Sequence, residues 1–352
     1  MRGWAVVETG KPLENIELPT PEPTGEEVLI EVTHCGVCHS DLHIWEGSYD
    51  LGSRGRMSLK DRGVTLPLAM GHEVVGRVVK CGPDAKGVSV GDMRIVFPWL
   101  GCGHCDRCEA GNDNLCAVAG RSIGVMQNGG YATHVLARSP RHLVAFDGLD
   151  PAVAATYACS GITVYSAIRK VMPMPADRPI VIVGAGGLGL NAVEILKALG
   201  HKRICVVDVS EEKLEGARQA GATDTVLAGS EDTTARIIAA CGGPVDAVID
   251  LVNGTMTARF AFDALVKGGQ LIQVGLFGGE LNLPLPLMAT KALTIRGSYV
   301  GNPQDLREVV GLAQQGKLAP LPVSTEPVTE VNNVLNRLKD GKVRGRVVLT
   351  AA

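Results

Sequence analysis

The sequence is poor in aromatic residues and lacks both a long basic run and a long apolar run. Phe, Trp and Tyr together make up 4% of its 352 residues. With 34 basic and 37 acidic residues, the net charge is −3, which does not support a nucleic-acid-binding surface. No apolar stretch reaches the roughly 18 residues of a membrane helix, and residues 1–7 lack the apolar core of a secretory signal. We therefore expect a cytoplasmic protein with no membrane or nucleic-acid partner.

Glycine and cysteine, by contrast, are abundant. The chain has 44 glycines and 45% hydrophobic residues, which is typical of a turn-rich globular protein, and its length predicts two domains. In a reducing compartment, its ten clustered cysteines favour metal binding over disulfides. Four of them lie outside the ligand sets described below: Cys35, Cys81, Cys205 and Cys241.

The chain changes character at about residue 155. Before that point, short β-branched segments such as 28–33 and 74–80 predict strands joined by loops. The segment 50–66 is polar and rich in glycine, and we predict an exposed loop there.

Beyond residue 155, apolar runs alternate with segments of helical spacing. This pattern predicts an α/β fold with a parallel sheet and crossover helices. The predicted strands are 180–183, 204–207, 247–251, 270–274 and a final strand 345–349, and the predicted helices are 188–199, 211–220, 257–265, 303–315 and 328–338.

A dinucleotide-binding motif follows the first of these strands. Residues 184–189 read G-A-G-G-L-G, with Gly184, Gly186 and Gly189 at the positions of a tight turn, a pyrophosphate approach and a helix–strand contact; Gly187 lies within the same turn. Asp208 ends the next predicted strand, where a carboxylate binds ribose hydroxyls and repels a 2′-phosphate. The motif therefore predicts NAD. The alternative is that these are ordinary turn glycines and that Asp208 only caps a helix.

Four cysteines lie within fifteen residues, in a loop rich in Gly, Asn and Asp. Their spacing is C-x2-C-x2-C-x7-C: Cys102, Cys105, Cys108 and Cys116. Four thiolates without an open position are typical of a structural zinc site. An iron–sulfur cluster is the rival interpretation, although its bacterial motif has a shorter last gap followed by Pro. Unligated surface thiols are the third interpretation.

Three further residues, Cys38, His72 and Cys159, are scattered through the chain. Each is a weak signal alone, and a cysteine such as Cys159 in an apolar segment is commonly a small core residue. Together with a dinucleotide fold, they supply the two-Cys, one-His set that leaves a zinc coordination position open.

The chain resembles the zinc-dependent medium-chain alcohol dehydrogenase family, and especially its microbial tetrameric branch. The resemblance extends from end to end. It rests on six motifs that occur in order: C-G-V-C-H-S-D-L-H, G-H-E, the four-cysteine loop, C-S-G-I-T-V-Y, G-A-G-G-L-G and G-S-Y-V-G-N.

The resemblance implies a fold, cofactors and an activity. A GroES-like, β-rich catalytic domain is expected at 1–155, completed by 299–352, and a Rossmann domain with a doubly wound parallel sheet at 156–298. Two zinc ions, one catalytic and one structural, and NAD are expected. The implied activity is reversible hydride transfer from a primary or secondary alcohol to NAD, giving an aldehyde or ketone, in a homotetramer or a dimer.

The resemblance also implies residue roles in the catalytic site. Cys38, His72 and Cys159 would hold the catalytic zinc, with Glu73 beside it and Asp41 orienting His72.

The proton, coenzyme and substrate contacts are implied in the same way. Ser40 would take the alcohol proton and pass it through the nicotinamide ribose to His43. The implied coenzyme contacts are His39, Thr163, Lys213 and Arg346, and the implied pocket aromatics are Tyr49 and Trp99. Turn, surface and core roles are the alternatives for Ser40, His43 and the two aromatics.

Three other interpretations remain open. A polyol or threonine dehydrogenase of the same superfamily is the nearest, although sorbitol-type members have a glutamate where this chain has Cys159. The others are a zinc-ribbon interaction module and a catalytically silent redox sensor. The segment 50–66 is longer than in compact microbial members, which leaves the substrate range open.

Overall fold

The computed structural model describes residues 1–118 and 120–351. Its strands are β1 (Arg2–Val6), β2 (Glu14–Glu17), β3 (Val28–Val37), β4 (Ser48–Asp50), β5 (Arg56–Ser58), β6 (Leu68–Ala69), β7 (Glu73–Cys81), β8 (Met93–Val96), β9 (Trp99–Leu100), β10 (Arg121–Ser122), β11 (His134–Ala137), β12 (Leu143–Val144), β13 (Ile180–Val183), β14 (Ile204–Asp208), β15 (Asp224–Leu227), β16 (Val245–Asp250), β17 (Leu265–Gln273), β18 (Thr294–Gly297), β19 (Val323–Pro327) and β20 (Arg346–Thr350).

The helices are α1 (His39–Glu46), α2 (Asp106–Glu109), α3 (Pro151–Thr156), α4 (Ile162–Val171), α5 (Gly187–Ala198), α6 (Glu211–Ala220), α7 (Thr233–Cys241), α8 (Thr255–Asp263), α9 (Leu285–Thr290), α10 (Pro303–Gln314) and α11 (Val331–Lys339). A π-helical turn, Tyr157–Gly161, joins α3 to α4. Within 1–118 and 120–351, no helix has the length and apolar character needed to cross a membrane.

A seven-stranded sheet forms the β-rich half of the molecule. Its strand order is β12-β8-β7-β3-β20-β19, and β11 also pairs with β3. The long strand β3 lies at its centre, with β7 antiparallel on one side and β20 antiparallel on the other. The last strand of the described chain therefore completes a sheet that begins near residue 28.

The second half is built on a six-stranded parallel sheet with the order β15-β14-β13-β16-β17-β18. All four residues of β13 are buried, as expected for a central strand covered by helices on both faces. The order is that of a doubly wound dinucleotide-binding sheet, in which ligands bind beyond the carboxyl ends of the strands. The Rossmann prediction is confirmed.

Several elements were absent from the sequence prediction. The strands β15 and β18 are only four residues long, and most of their residues are partly exposed, so neither has the apolar run of a central strand. Helix α7 contains two N-terminal threonines, a residue of low helix propensity, yet it buries Ile237 and Cys241 one turn apart. Packing against the sheet stabilises these elements where local propensity is weak.

The prediction of an exposed loop at 50–66 was wrong in part. The strands β4 and β5 form a hairpin in which Tyr49 pairs with Met57; one short 3₁₀ turn, Gly52–Arg54, connects the two strands, and another, Lys60–Arg62, follows them. Leu59 and Val64 are buried in the main core. The charged residues between Leu59 and Val64 suggested exposure to solvent. The two apolar side chains instead anchor the segment in the core.

The same segment contacts the other half of the molecule. The Ser53 backbone N–H and hydroxyl both donate to Glu280 Oε2, at 3.2 and 2.6 Å. The Gly279 N–H donates to the Asp50 carbonyl at 3.4 Å. Residues 50–53 therefore bridge to the loop that follows β17.

Replacing the buried anchor should loosen this segment. Leu59 is 4% exposed, so Leu59→Ala removes buried methyl groups and should destabilise the fold by about 2 to 5 kcal/mol. Thermal unfolding and limited proteolysis within 48–66 would measure the effect. Leu66→Ala is the matched control because Leu66 is 40% exposed. Equal protease sensitivity in the two variants would contradict the anchoring role.

Candidate active site

The register of β3 and β7 brings Cys38 and His72 together. The two strands pair antiparallel with Gly36 opposite Glu73. Cys38 follows the end of β3 and His72 precedes the start of β7, so they lie at the same edge of the sheet, with Cys38 Sγ 3.1 Å from His72 Nε2. Gly36 is required here, since a Cβ at that position would lie 2.9 Å from the Glu73 Cβ.

Cys159 reaches the same point from the π-helical turn between α3 and α4. The ligand atoms of Cys38, His72 and Cys159 all lie within 4.8 Å of one another, and all three residues are buried. A π turn changes the direction of the side chains after it, and such turns are frequent at functional sites. The structure therefore brings together the three residues that the sequence analysis selected.

The pKa shifts of Cys38 and Cys159 bear on whether this site can bind a cation. A hydrogen bond from Cys159 lowers the pKa of Cys38 well below its ordinary value, and the charges of His72 and Arg346 act in the same direction. The same contact, with burial, raises the pKa of Cys159. Because the thiolate is the metal-binding form of cysteine, a positive ion at this point would stabilise both sulfurs as thiolates.

Asp41 lies behind His72. Its Oδ2 accepts the Cys38 N–H at 2.9 Å, and its Oδ1 is 3.5 Å from His72 Nδ1. Burial raises the pKa of Asp41. The carboxylate faces the imidazole nitrogen opposite the one that points to Cys38, which is the arrangement that orients a ligating histidine.

A buried ion pair joins Glu73 to Arg346. The Arg346 Nη2 lies 3.4 Å from Glu73 Oε1, while Nη1 donates to the Val37 carbonyl at 3.2 Å. Burial raises the pKa of Glu73 to about 8 in spite of this arginine. Arg346 Nε and Nη2 have no hydrogen-bond partner among the described residues, so a buried guanidinium presents donors to an anionic ligand.

The glycine-rich turn has the geometry that the sequence motif predicts. Gly184 has a φ of +101°, and a Cβ at Gly189 would collide with the Gly184 carbonyl. A Cβ at Gly186 would meet nothing within 4 Å, so the backbone there is open to a ligand. A Cβ at Gly187 would lie 3.5 Å from Arg346 Nη2. The turn and Arg346 therefore face one another across the two halves of the molecule.

Asp208 lies at the carboxyl end of β14, next to this turn. Its Oδ2 accepts the Ala185 N–H at 2.7 Å and its Oδ1 accepts the Ser210 N–H at 3.0 Å. The N-cap of α6 is Ser210, so Asp208 is not the helix cap of the alternative interpretation. Each carboxylate oxygen retains a lone pair for a further donor.

The other proposed coenzyme contacts lie on α1, α4 and α6. Thr163 is buried in the first turn of α4, and its hydroxyl has no partner among the described residues. His39 begins α1, and Lys213 lies in the first turn of α6. Desolvation lowers the pKa of His39, and the positive charges of Arg346 and Lys213 lower it further. A coenzyme phosphate next to these residues would be close to several positive charges.

Aromatic rings contact His72 of the three-ligand group and His43 of α1. The rings of Trp99 and His72 are 5.4 Å apart, and those of His43 and Tyr49 are 5.0 Å apart. Ser40 and His43 lie three residues apart on α1, and so on one helix face. Tyr299, which the sequence analysis did not select, stacks edge-on against Trp99 at 5.7 Å.

The four-cysteine group closes at the tip of a separate loop. Cys108 Sγ lies 3.9 Å from Cys102 Sγ and 3.5 Å from Cys105 Sγ, and Cys105 Sγ lies 4.0 Å from Cys116 Sγ. A tetrahedral zinc with bonds of about 2.3 Å places its sulfurs about 3.8 Å apart. The observed separations fit that ion. The buried carboxylate of Asp113 holds this loop to the protein through Arg141 and His142.

Comparison with known families assigns both halves of the chain. Residues 24–147 match the alcohol dehydrogenase GroES-like domain, and residues 187–315 match the zinc-binding dehydrogenase family. An NAD-dependent alcohol dehydrogenase of Sulfurisphaera tokodaii is 38% identical over 351 residues, which cover 99% of both chains. The chain belongs to the zinc-dependent medium-chain alcohol dehydrogenase family. The GroES-like fold predicted for the β-rich half is thereby confirmed.

Solved structures of family members share the whole fold. The alcohol dehydrogenase of Aeropyrum pernix has a TM-score of 0.90 at 32% identity, covering 99% of this chain and 100% of that one. The acetophenone reductase of Geotrichum candidum, solved in complex with NAD, has a TM-score of 0.86 at 31% identity and covers 99% and 96%.

Two features of the site were missed by the sequence analysis. The π turn that presents Cys159 has no local signal, because its apolar residues also suit an ordinary helix. Tyr299 stands in the G-S-Y-V-G-N motif, and an aromatic residue within a glycine-flanked motif at a domain junction was the signal that could have identified it.

Proposed function

We propose that this protein is an NAD-dependent zinc alcohol dehydrogenase that transfers a hydride from a primary or secondary alcohol to NAD, giving an aldehyde or ketone. The observation that carries the proposal is the convergence of Cys38, His72 and Cys159 in a buried site with aromatic walls. The glycine-rich turn faces Arg346, and Arg346 lies beside this site. The names of its relatives in Sulfurisphaera and Aeropyrum support the same activity.

Cys38, His72 and Cys159 would hold the catalytic zinc. Two thiolates and one imidazole leave a tetrahedral ion one position for a substrate oxygen. Zinc at this point supplies the Lewis acidity that makes an alcohol ionise near neutral pH. Asp41 would keep His72 in the ligating orientation, and Glu73 would balance the charge of Arg346 beside the site.

The coenzyme would lie between the two sheets. Its pyrophosphate would rest on the turn formed by Gly184, Gly186, Gly187 and Gly189, with Lys213 and Arg346 neutralising its charge and His39 as a further contact. Asp208 would bind the adenosine ribose, and Thr163 would contact the nicotinamide. NAD bound there supplies the hydride acceptor.

The proton released by the alcohol would be carried by two side chains of helix α1. Ser40 would accept it from the substrate hydroxyl, and His43 would deliver it to solvent. Desolvation lowers the pKa of His43, and Arg56 lowers it further, so the imidazole is neutral and able to accept a proton at neutral pH. The His43 ring lies 5.0 Å from the ring of Tyr49.

The remaining proposed features concern architecture and substrate. Cys102, Cys105, Cys108 and Cys116 would hold a structural zinc. Tyr49 and Trp99, with Tyr299, would form a cleft for small or flat alcohols. We assign residues 1–155 and 299–352 to the catalytic domain and 156–298 to the NAD-binding domain.

Assembly and location are proposed on separate grounds. A homotetramer or dimer is proposed from the resemblance to the microbial tetrameric branch. A cytoplasmic location is supported by cysteines grouped in metal-binding clusters, which is typical of a reducing compartment.

The activity is tested by NADH formation with linear, branched, aromatic and polyol alcohols. We expect turnover with simple or aromatic alcohols, and its loss to background in Cys159→Ala, which removes one ligand. Cys241→Ala is the control, because Cys241 is buried within the core of the six-stranded sheet. Full activity of Cys159→Ala would refute the proposal, and turnover of polyols alone would favour the polyol dehydrogenase.

Coenzyme choice should depend on Asp208. Asp208→Ser replaces the charge-assisted hydrogen bonds to the ribose with neutral ones, at a total cost of about 1.5 to 3 kcal/mol, and also removes repulsion of a 2′-phosphate. We expect kcat/KM with NAD to fall roughly 10- to 100-fold and the NADP/NAD ratio to rise. Initial rates with both coenzymes measure this, with Glu212→Gln on exposed α6 as the control. A parent enzyme that prefers NADP would contradict the assignment.

Removal of the His43 imidazole should slow proton release. We expect His43→Ala to reduce the hydride-transfer rate on the order of 100-fold at pH 7, with recovery at high pH as hydroxide replaces the base. Single-turnover NADH formation between pH 6 and 9 measures this. His134→Ala, on β11, is the control. A His43→Ala variant with the parent rate throughout this range would remove His43 from the pathway.

A further inference from the structure

The G-S-Y-V-G-N segment, residues 297–302, contains a strained residue next to an aromatic contact. Val300 has a φ of +41°, although it is not a glycine. A β-branched residue rarely adopts this left-handed backbone conformation, which persists only where surrounding contacts impose it. Val300 directly follows Tyr299, whose ring contacts Trp99. The contacts that impose the strain therefore also affect the direction of the Tyr299 side chain.

One of these contacts comes from the four-cysteine loop, residues 102–116. Asn114 Nδ2 donates to the Tyr299 carbonyl at 2.9 Å. This carbonyl belongs to the peptide bond between Tyr299 and Val300, so the hydrogen bond orients that peptide plane and constrains the φ of Val300. The side-chain amide nitrogen of Asn114 is thus the donor that reaches the strained position from a distant part of the chain.

The other end of the segment is held as well. Asn302 Nδ2 donates to Asn112 Oδ1 of the same loop at 3.1 Å, and Asn302 Oδ1 accepts the Asp305 N–H at 2.8 Å as the N-cap of α10. A Cβ at Gly301 would lie 2.6 Å from Ile162 Cγ1 at the start of α4. The segment is therefore fixed on both sides of Val300.

Burial alone does not orient the Tyr299 ring. The residue is 50% exposed, and its ring meets Trp99 edge-on with the centroids 5.7 Å apart. The Trp99 ring in turn lies 5.4 Å from the His72 ring. The direction of a half-exposed ring depends mainly on the backbone that carries it. The hydrogen bond to the Tyr299 carbonyl therefore decides whether the ring stands against Trp99.

We propose that Asn114 is a positioning residue for the substrate cleft: through the Tyr299 carbonyl, it holds the Tyr299 ring against Trp99 and so favours flat alcohols. The inference rests on the proposed function for the identity of the cleft and its substrates. It gives the four-cysteine loop a part in substrate selection, in addition to holding a metal ion.

A purely structural role for Asn114 makes a different prediction. If its hydrogen bond only fastens the loop to the protein, Asn114→Ala should lower the melting temperature and leave the Trp99–Tyr299 contact unchanged. If Asn114 positions Tyr299, the same substitution should release the strained backbone at Val300. The ring of Tyr299 should then move relative to Trp99.

The position of the ring is measured by fluorine NMR of protein labelled with 5-fluorotryptophan. The chain has three tryptophans, so Trp4 and Trp45 are internal controls for Trp99, whose resonance is assigned with Trp99→Phe. We expect Asn114→Ala to shift the Trp99 resonance alone. The matched control is Asn333→Ala, because Asn333 is an exposed asparagine of α11 whose amide also donates a hydrogen bond.

Asn302→Ser separates this effect from metal binding by the loop. Serine caps a helix as well as asparagine does, so α10 stays capped, but its short side chain does not reach Asn112. The substitution also lies outside the four-cysteine loop. We expect Asn302→Ser to shift the Trp99 resonance while the zinc content per chain equals that of the parent. A shift that occurs only in variants that have lost zinc would overturn the inference.

Substrate selection is measured as kcat/KM with benzyl alcohol and with ethanol. Aromatic contacts of this kind correspond to roughly 2- to 10-fold, and we expect Asn114→Ala to lower the benzyl alcohol to ethanol ratio by that factor. The KM for NAD should stay at the parent value. In a Tyr299→Ala background, Asn114→Ala should change the ratio little, because the residue through which it acts is gone.

The outcomes separate this inference from the proposed function. An unchanged Trp99 resonance in Asn114→Ala, an unchanged ratio, or an equal loss in the Tyr299→Ala background would overturn the inference alone. A parent enzyme that oxidises ethanol but not benzyl alcohol would do the same. A parent protein that oxidises no alcohol would overturn the proposed function, and the role in substrate selection with it.

Discussion

The site depends on the position of strand β3 between β7 and β20. Its carboxyl end leads directly to Cys38. The register with β7 places Gly36 opposite Glu73, and the register with β20 places Val347 opposite Val37. His72 and Arg346 therefore arrive at the same edge from opposite sides. A shift of one residue in either pairing would turn these side chains to the other face of the sheet.

This arrangement concentrates ionisable groups in a buried space. Asp41, His72, Glu73 and Arg346 are all buried, and several of their polar atoms lack partners among the described residues. Burial of such groups is costly unless a charge or a hydrogen bond compensates. The unbonded arginine nitrogens, the paired thiols and the open face of the glycine turn all indicate that ligands supply the missing partners. The fold provides a preorganised space, and bound ions and coenzyme would stabilise it.

The two sheets cooperate because their contacts cross the cleft. Arg346 belongs to β20 of the seven-stranded sheet, yet its side chain faces Gly187 of the coenzyme turn. Ser53 and Glu280 make a second bridge at the outer end of the cleft. Trp99 and Tyr299 add an edge-to-face ring contact at 5.7 Å.

By itself, the sequence determined the features that depend on local spacing. The glycine motif after an apolar strand identified the dinucleotide fold, and four closely spaced cysteines identified a closed metal site, because in each case the interacting atoms are near in the chain. Only the tertiary structure decided the rest. The meeting of Cys38, His72 and Cys159 and the anchoring of 50–66 by Leu59 depend on strand register and packing between distant segments, which leave no periodic signal in the chain.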